Sequence, residues 1–430
     1  MRIELISTGD ELLTGDITDT NASWLASQLT EQGFKLSYKT TVADDLDELV
    51  ETFKQRSKYA DFIIVNGGLG PTTDDLSAQA AAQALGEPVV LFESWLEAMK
   101  AMFVKMGRHM TDSNIKQAML PKSCEIVDNP VGTACGFKIK LGKATLVFTP
   151  GVPREFKHMV KEQILPLLVA SNDSQSLSIT RFLCLGIGES ALATLLEGIT
   201  LPKGCEFGYR AAMPFIELKI FTKGEVSIQS QVEQIEAIVR DYCVVRDGNS
   251  LSRHVHQLLL DKAQAQDSFK FGTVESCTGG MVASSLVEYP GSSWYLDRGL
   301  VTYSNMAKQQ LADVSGKTIA DFGAVSLETA REMAQGAVKK HDLDLVVSIT
   351  GVAGPEGGSD EKPVGLVAFA LADKDNCYSQ MLHIPNRGRT NVRATACAIA
   401  LDMVRRYVEG IEVIGSYQSY RVIAKTVGRG

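Results

Sequence analysis

The segment FGTVESCTGGMVASSLV, from Phe271 to Val287, decides the fold of the carboxyl-terminal part of the chain. Its first five residues predict a β-strand, and the apolar run after the glycines predicts a helix. The turn between them is made of Ser276, Cys277, Thr278, Gly279 and Gly280. Because ligands of open α/β sheets bind beyond the carboxyl ends of strands, this turn is a candidate functional site.

Two interpretations of the turn are open from these residues alone. In the first, Ser276 or Thr278 only caps the following helix, which is a common use of Ser and Thr. In the second, one of the side chains is a nucleophile, and Gly279 and Gly280 let a ligand approach the backbone. The free N–H groups at the start of the helix would then bind a phosphate. The turn by itself fits both interpretations equally well.

Polar residues at two further strand ends favour the second interpretation. TYSNMAK places Tyr303 after a strand and Lys308 in the next helical turn, and SITG places Thr350 at the end of a third strand. NRGRTNVR adds Arg389 before the closing helix. A neutral lysine can activate a serine hydroxyl, and a tyrosine or a backbone N–H can stabilise an oxyanion. We therefore expect these side chains to meet at one edge of a sheet.

Strand and helix patterns alternate over residues 250–415 and also over residues 1–168. Such alternation predicts parallel sheets with helices on both faces. Residues 175–246 predict a small α+β module that follows a polar linker at 169–176, and the residues after 415 are expected to form a tail. The predicted fold class is α/β, with two three-layer α/β domains with mostly parallel sheets joined by the small module.

Glycines and carboxylates follow two predicted strands of the amino-terminal domain. NGGLGPTTDD, which spans 66–75, follows a buried strand, and its successive N–H groups can bind an anion while Asp74 and Asp75 hold a divalent cation. STGDELLTG supplies a second acidic pair, Asp10 and Glu11. A turn that needs positive φ explains the glycines about as well. Two acidic strand ends in one domain nevertheless favour a metal-assisted site.

Composition excludes several classes of protein. The chain has 430 residues, of which 45% are hydrophobic and 22% charged, as is typical of globular proteins. No apolar run reaches the ~18 residues of a membrane span, so neither a membrane partner nor a secretory signal is expected. The eight cysteines have no Cys-x-x-Cys spacing, which disfavours disulfides and zinc and favours the cytoplasm. The net charge of −8 disfavours nucleic acid as a partner.

The motifs VESCTGG, TYSNMAK, SITGVAGPEGGSDEKPVGLV and RTNVR together resemble the nicotinamide mononucleotide amidohydrolase domain that ends proteins of the CinA (competence/damage-inducible) family. This resemblance implies that Ser276 attacks the nicotinamide carboxamide and that Lys308 is the base. Tyr303 and Thr350 would assist, and no cofactor is implied. The substrate-binding residues of this domain are expected to be Thr278, Gly279, Gly280 and Arg389. Cys277 is expected to pack away from the substrate.

The amino-terminal loops, together with NPVGTACGF and FTPGVPREF, resemble the molybdopterin-binding-like domain that opens the same family. This resemblance implies hydrolysis of ADP-ribose to AMP and ribose 5-phosphate with a divalent ion of the Mg, Mn or Co type. The expected ADP-ribose-binding residues are Gly67, Gly68 and Gly70, and the expected metal ligands are Asp75, Asp10 and Glu11. The middle module is similar to the family's KH-like module but has no Gly-x-x-Gly clamp for RNA, so we expect a spacer. A homodimer is also expected.

Two classes of function therefore compete. The first is a bifunctional pyridine-nucleotide salvage enzyme that deamidates nicotinamide mononucleotide and cleaves ADP-ribose. The second is a non-catalytic protein, either a molybdopterin-like binding protein or a competence and recombination adaptor. The presence of Ser276, Tyr303, Lys308 and Thr350 favours catalysis in the carboxyl-terminal domain. The amino-terminal glycine loop would serve a binding protein equally well.

Overall fold

The structure is a computed structural model that describes residues 1–170, 177–248, 250–266 and 268–429. Residues 171–176 of the predicted linker lie outside the described residues. The chain divides into two compact units, the first formed by Met1–Ser178 with Thr222–Glu225 and the second by Ile179–Phe221 with Val226–Gly430. The second unit contains most of the predicted small module as well as the carboxyl-terminal domain. The division into three domains stays a prediction.

The strands of the first unit are, in chain order, β1 (Ile3–Thr8), β2 (Leu36–Val42), β3 (Phe62–Asn66), β4 (Val89–Leu91), β5 (Met119–Pro121), β6 (Glu125–Val127), β7 (Gly136–Leu141) and β8 (Ala144–Thr149). Its helices are α1 (Asp10–Thr14), α2 (Thr20–Glu31), α3 (Leu46–Arg56), α4 (Ser77–Leu85), α5 (Glu93–Lys105), α6 (Pro153–Met159) and α7 (Leu165–Ala170). A 3-10 helix spans Asp112–Ala118 and a π-helix spans Val160–Ile164.

The main sheet of the first unit has the strand order β2-β1-β3-β8-β7-β6. Every residue of β1 and β3 is buried, because one core with α3, α4 and α5 covers one face and another with α2 and α6 covers the other. β1, β3 and β8 are parallel neighbours, with Ser7 opposite Asn66 and Asn66 opposite Thr149. Their carboxyl ends therefore meet at one edge of the sheet.

The second unit begins with β9 (Leu177–Leu185), whose first two residues belong to the first unit, and continues with β10 (Cys205–Ala212), β11 (Phe215–Lys223), β12 (Cys243–Arg246), β13 (Phe271–Glu275), β14 (Leu296–Val301), β15 (Leu345–Gly351), β16 (Leu366–Ala372), β17 (Asn376–His383) and β18 (Arg421–Arg429). Its helices are α8 (Glu189–Leu195), α9 (Gln229–Val239), α10 (Leu251–Ala265), α11 (Met281–Val287), α12 (Asn305–Ala312), α13 (Gly316–Phe322), α14 (Leu327–His341) and α15 (Arg389–Val408), and a 3-10 helix spans Ser292–Trp294.

The larger sheet of this unit has the strand order β14-β13-β15-β16-β17-β18. β13 pairs in parallel with both β14 and β15, whereas β15 to β18 pair antiparallel. One core joins the sheet to α10 and α15, and another joins its opposite face to α14. The α/β class expected from the sequence is confirmed. The parallel pairing places the ends of β13, β14 and β15 at the same edge.

The prediction of a carboxyl-terminal tail is wrong. β18 pairs antiparallel with β17, with Ser379 opposite Thr426 and Leu382 opposite Val422. The run RVIAKTV is rich in β-branched residues, which suit a strand, but its partner lies about forty residues earlier in the chain. This edge strand therefore depends on a non-local pairing that the local pattern does not reveal.

The smaller sheet of the second unit has the strand order β10-β11-β9-β12. A compact apolar core joins it to α8 and α9 through Leu192, Val232 and Ile235. None of the helices in the described part of the chain combines the length and the apolar character that crossing a membrane requires.

Candidate functional site

The turn after β13 lies at the carboxyl-terminal edge of the larger sheet. The Ser276 N–H donates to the Ile349 carbonyl (2.9 Å), which continues the parallel pairing of β13 with β15 by one residue. Ser276 is 8% exposed. Gly279 and Gly280 both have positive φ, +62° and +92°, so the chain reverses here in a conformation that suits glycine.

Glu275, rather than Ser276 or Thr278, caps α11. Its carboxylate is fully buried and accepts hydrogen bonds from the N–H groups of Gly280 (3.0 Å), Val282 (3.1 Å) and Ala283 (3.0 Å). The capping interpretation of Ser276 and Thr278 is therefore wrong. So is the expectation that these N–H groups bind a phosphate, because a carboxylate from the preceding strand already occupies them.

Lys308 on α12 reaches the turn from the face of the sheet that α14 covers. Its Nζ lies 3.1 Å from Ser276 Oγ and donates to the Thr302 carbonyl at 2.9 Å. The Lys308 side chain is 1% exposed. Burial lowers the pKa of Lys308 below its ordinary value, because the ammonium loses hydration that the neutral amine needs less. The structure thus places a base-forming group beside the serine hydroxyl.

Tyr303 and Arg389 lie together at the exposed rim. Arg389 donates through Nη2 to the Tyr303 hydroxyl (3.1 Å) and through Nη1 to the Gly354 carbonyl (2.7 Å). Tyr303 is 62% exposed, so this pair is open to a ligand. Thr350 is buried on the strand next to Ser276, and its hydroxyl donates to the Ala324 carbonyl (2.7 Å). Thr350 can therefore offer only its oxygen as an acceptor while that bond persists.

Cys277 packs into the core that contains α10 and α15, as the sequence led us to expect. Burial raises the pKa of its thiol to about 12, so the thiol stays protonated at neutral pH. Of the three reactive side chains in the turn, Ser276 is the one beside a base. Thr278 is fully buried, and Arg393 on α15 donates to the backbone carbonyls of Cys277 (3.1 Å) and Thr278 (2.9 Å).

A second candidate site lies at the carboxyl-terminal edge of the first unit's sheet. The glycine loop after β3 lines a pocket of about 510 Å³ together with Thr8, Glu11, Asp44 and Asp75. Gly67 and Gly68 have positive φ, and a Cβ at Gly67 would come within 2.6 Å of Thr8 Oγ1. The close approach of the backbone explains why glycine is required here.

Some of the nearby carboxylates line this pocket, and Asp10 lies beside it. Glu11, Asp44, Asp74 and Asp75 line it. Asp10 lies beside Asp44, and the backbone N–H of each donates to the carboxylate of the other. The pKa of Asp44 is raised, first by burial and then by the nearby charges of Asp10, Glu11 and Asp74. Asp75 accepts from the Thr72 N–H (2.8 Å) and hydroxyl (2.5 Å), so it also holds the loop together.

Carboxylate oxygens are the ligands that hard divalent cations prefer, and Glu11, Asp44 and Asp75 present such oxygens to the pocket. Within the described residues, no three Asp, Glu, His or Cys side chains converge closely enough to hold a metal by themselves. A bound ion would therefore complete its shell with water or with phosphate oxygens, as Mg²⁺ commonly does.

Three residues of these two sites were not predicted from the sequence: Glu275, Thr8 and Asp44. Arg393 ends the motif RTNVR, but no separate role was predicted for it. Asp44 lies just beyond the end of β2, and the rule that selected Asp10 and Glu11 would have found it. Arg393 lies one helical turn after Arg389, where two side chains share a face. Nothing local distinguishes Glu275 from the other polar residues of the turn.

Comparisons with known proteins agree with this two-part architecture. Residues 250–408 match the family described as CinA C-terminal domain, and residues 4–170 match the family described as probable molybdopterin binding domain. The chain is 49% identical to the CinA-like protein of Shewanella woodyi over 429 residues, 99% of this chain and 100% of the relative. It is also 49% identical to the CinA-like protein of Shewanella loihica over 430 residues, 99% and 100% of the two chains.

Among solved structures, the competence/damage inducible protein CihA from Agrobacterium tumefaciens is 37% identical to the chain and has a TM-score of 0.36. That match covers 38% of this chain and 97% of the other.

Proposed function

The chain belongs to the CinA family, and from this premise we propose that its second unit hydrolyses nicotinamide mononucleotide to nicotinate mononucleotide and ammonia. The observation that carries the proposal is the buried contact of 3.1 Å between Lys308 Nζ and Ser276 Oγ. A nucleophile with an adjacent base is what acyl transfer from an amide requires. The exposed Tyr303 and Arg389 support it, since they offer polar groups to a charged substrate at the mouth of the site.

In the proposed reaction, Ser276 Oγ attacks the carboxamide carbon while its proton passes to neutral Lys308. The carbon–nitrogen bond then breaks, and the amide nitrogen leaves as ammonia with that proton. Water attacks the resulting ester and gives one proton to Lys308, which passes it to Ser276 Oγ as the ester bond breaks. The carboxylic acid formed loses its remaining proton to solvent and leaves as the carboxylate. The lowered pKa of Lys308 supports this cycle, because the base must be neutral at the start.

For the first unit we propose hydrolysis of ADP-ribose to AMP and ribose 5-phosphate. The glycine loop offers backbone N–H groups to a pyrophosphate, and one or two of the pocket carboxylates Glu11, Asp44 and Asp75 would bind a divalent cation beside it. Such an ion would supply charge neutralisation at the phosphates. Asp75 also orients the glycine loop, since it accepts hydrogen bonds from Thr72 within it.

Ammonia release from nicotinamide mononucleotide tests the proposal for the second unit. We expect Ser276→Ala to abolish the release, since losing the nucleophile removes the covalent route. Cys277→Ala is the matched control, because the neighbouring side chain faces the core, and it should retain most of the activity. Near-normal release by Ser276→Ala, or none by the wild-type chain, would contradict the proposal.

AMP formation from ADP-ribose tests the proposal for the first unit. We expect a chelator and Asp75→Asn to suppress it while deamidation continues, because the pocket carboxylates belong to the first unit alone. Glu97→Gln, which changes an exposed carboxylate paired with Lys100, should have no effect. ADP-ribose binding without turnover would instead support a binding role for this unit.

A further inference from the structure

The turn that carries Ser276 is held from two sides by buried or partly buried charges. On its amide side, the Glu275 carboxylate accepts from Gly280, Val282 and Ala283. On its carbonyl side, the Arg393 guanidinium donates through Nε to the Cys277 carbonyl and through Nη2 to the Thr278 carbonyl. The two glycines in the turn would otherwise let its peptide planes rotate at little cost.

We propose that Arg393 is a positioning residue of the deamidation reaction, an inference that rests on the proposed function of the second unit. Peptide bonds are planar, so fixing the Cys277 carbonyl also fixes the Thr278 N–H on the opposite side of the same plane. Fixing the Thr278 carbonyl likewise fixes the Gly279 N–H, which donates to the Ser276 carbonyl at 3.1 Å. Arg393 therefore sets the backbone that follows the nucleophile.

Geometry of this kind suits an arginine and no other residue. The guanidinium presents Nε and Nη2 in one rigid plane, and here each binds a different carbonyl of adjacent peptides. A lysine would keep the charge but could not hold two carbonyls in a fixed relative orientation. Arg393 also differs from Arg389, one helical turn earlier, which reaches the exposed rim rather than the turn.

Steady-state kinetics of lysine variants test the inference. We expect Arg393→Lys to lower kcat for nicotinamide mononucleotide by roughly 100-fold with little change in KM, since small displacements of a reacting atom cost about that much. Arg389→Lys should mainly raise KM. Arg387→Lys is the neutral control, because its guanidinium lies against Met213 and not against the turn. Added guanidinium ion should partly restore kcat to Arg393→Ala, and methylammonium should not.

A second measurement reports the reactivity of the Ser276 hydroxyl in the absence of nicotinamide mononucleotide. An aryl sulfonyl fluoride reacts with an activated serine: Ser276 Oγ bonds to sulfur, fluoride leaves, and the proton passes to Lys308. We expect intact-protein mass to show slower labelling of Arg393→Lys and Arg393→Ala than of the wild-type chain and Arg387→Lys. Ser276→Ala supplies the blank.

These outcomes separate the inference from the proposed function. Wild-type labelling without ammonia release would refute the deamidase and still let the labelling rates decide the role of Arg393. Arg393→Lys with wild-type kcat and labelling would overturn the inference. The inference would also be overturned if the loss of kcat in Arg393→Lys equalled the fraction of that variant that a thermal melt shows to be unfolded. A wild-type chain that is neither labelled nor active would overturn both.

Discussion

Burial at Lys308 has a direct consequence for the pH at which the second unit works. The side chain is almost completely enclosed, and no carboxylate of the described residues acts on its pKa. Its hydrogen bonds to Thr302 and Ser276 satisfy the amino group without requiring the ammonium form. The group can therefore titrate below 10.5, the ordinary value for lysine.

We predict that deamidation rises with pH through a single ionisation below that ordinary value and then levels off. The sign follows because the neutral amine is the base, and its fraction increases as pH passes the lowered pKa. Lys308→Arg should lose kcat at every pH, since a guanidinium does not give up its proton. Lys317→Arg, at an exposed lysine, should behave as wild type. If Lys308→Arg kept turnover and changed only KM, Lys308 would be a substrate contact and not a base.

The residues that the sequence did predict have one property in common. Ser276, Tyr303 and Thr350 lie at or near the ends of strands, and such ends are recognisable where a short strand-like run meets polar residues or glycine. Glu275 and Arg393 act through hydrogen bonds to backbone atoms that come close only after folding. A capping carboxylate at the end of a strand, just before five polar or small residues, has no local signature, which is why only Ser276 and Thr278 were considered as caps.

Among the elements, α12 depends on α14 for the position of Lys308. Gly336 lies on α14 where the two helices approach most closely, and a Cβ there would overlap the Ala312 carbonyl oxygen and come within 2.9 Å of its carbon. Ala312 is the last residue of α12. The approach of backbone to backbone is possible only because Gly336 has no side chain.

We predict that Gly336→Ala destabilises the second unit by about 1–3 kcal/mol and lowers kcat, because the overlap must displace α12 and with it Lys308. Helix propensity alone would make Gly336→Ala more stable by up to about 1 kcal/mol. A decrease in the free energy of unfolding would therefore identify steric overlap as the cause. Gly198→Ala, at a position with open space, is the control and should be close to neutral. Thermal unfolding and ammonia release measure both effects, and a stabilised, fully active Gly336→Ala would contradict the prediction.

Strands and helices were predictable from the sequence where the local pattern of apolar and polar residues determines them. The strands around Ser276 follow from short strand-like runs bounded by turn residues, and the helices that cover them follow from helical periodicity. β18 was missed because a short β-branched run at an edge has meaning only beside β17. Asp44 differs from β18 in this respect, because it lies just beyond the end of β2 and the local strand-end rule would have found it.

At the scale of the whole molecule, a buried charge network joins α15 to the chain just before β12 within the second unit. Asp402 is fully buried and accepts from Arg405 Nη2 (2.7 Å), Arg406 Nε (2.8 Å) and the Tyr417 hydroxyl (2.8 Å). Arg406 also donates to the Asp241 carbonyl at 2.7 Å. Burial, and then the Asp402 charge, raises the pKa of Tyr417 well above its ordinary value. Charges that are almost completely buried therefore connect α15 with the chain next to the small sheet.

We predict that Asp402→Asn destabilises the second unit by about 3–5 kcal/mol, because the buried Arg406 guanidinium loses its counter-charge and Arg405 keeps only its ion pair with Glu409. For a unit of this size that corresponds to a fall in Tm of roughly 10 °C, seen as an earlier loss of ammonia release on heating. Asp342→Asn is the matched control: this exposed aspartate pairs with Lys270 and Lys374 in water, and asparagine tolerates its positive φ of 49°. The unfolding of the first unit should not change, since none of these residues belongs to it. A Tm for Asp402→Asn equal to that of Asp342→Asn would show that the network adds no stability, and that packing alone connects the two sheets.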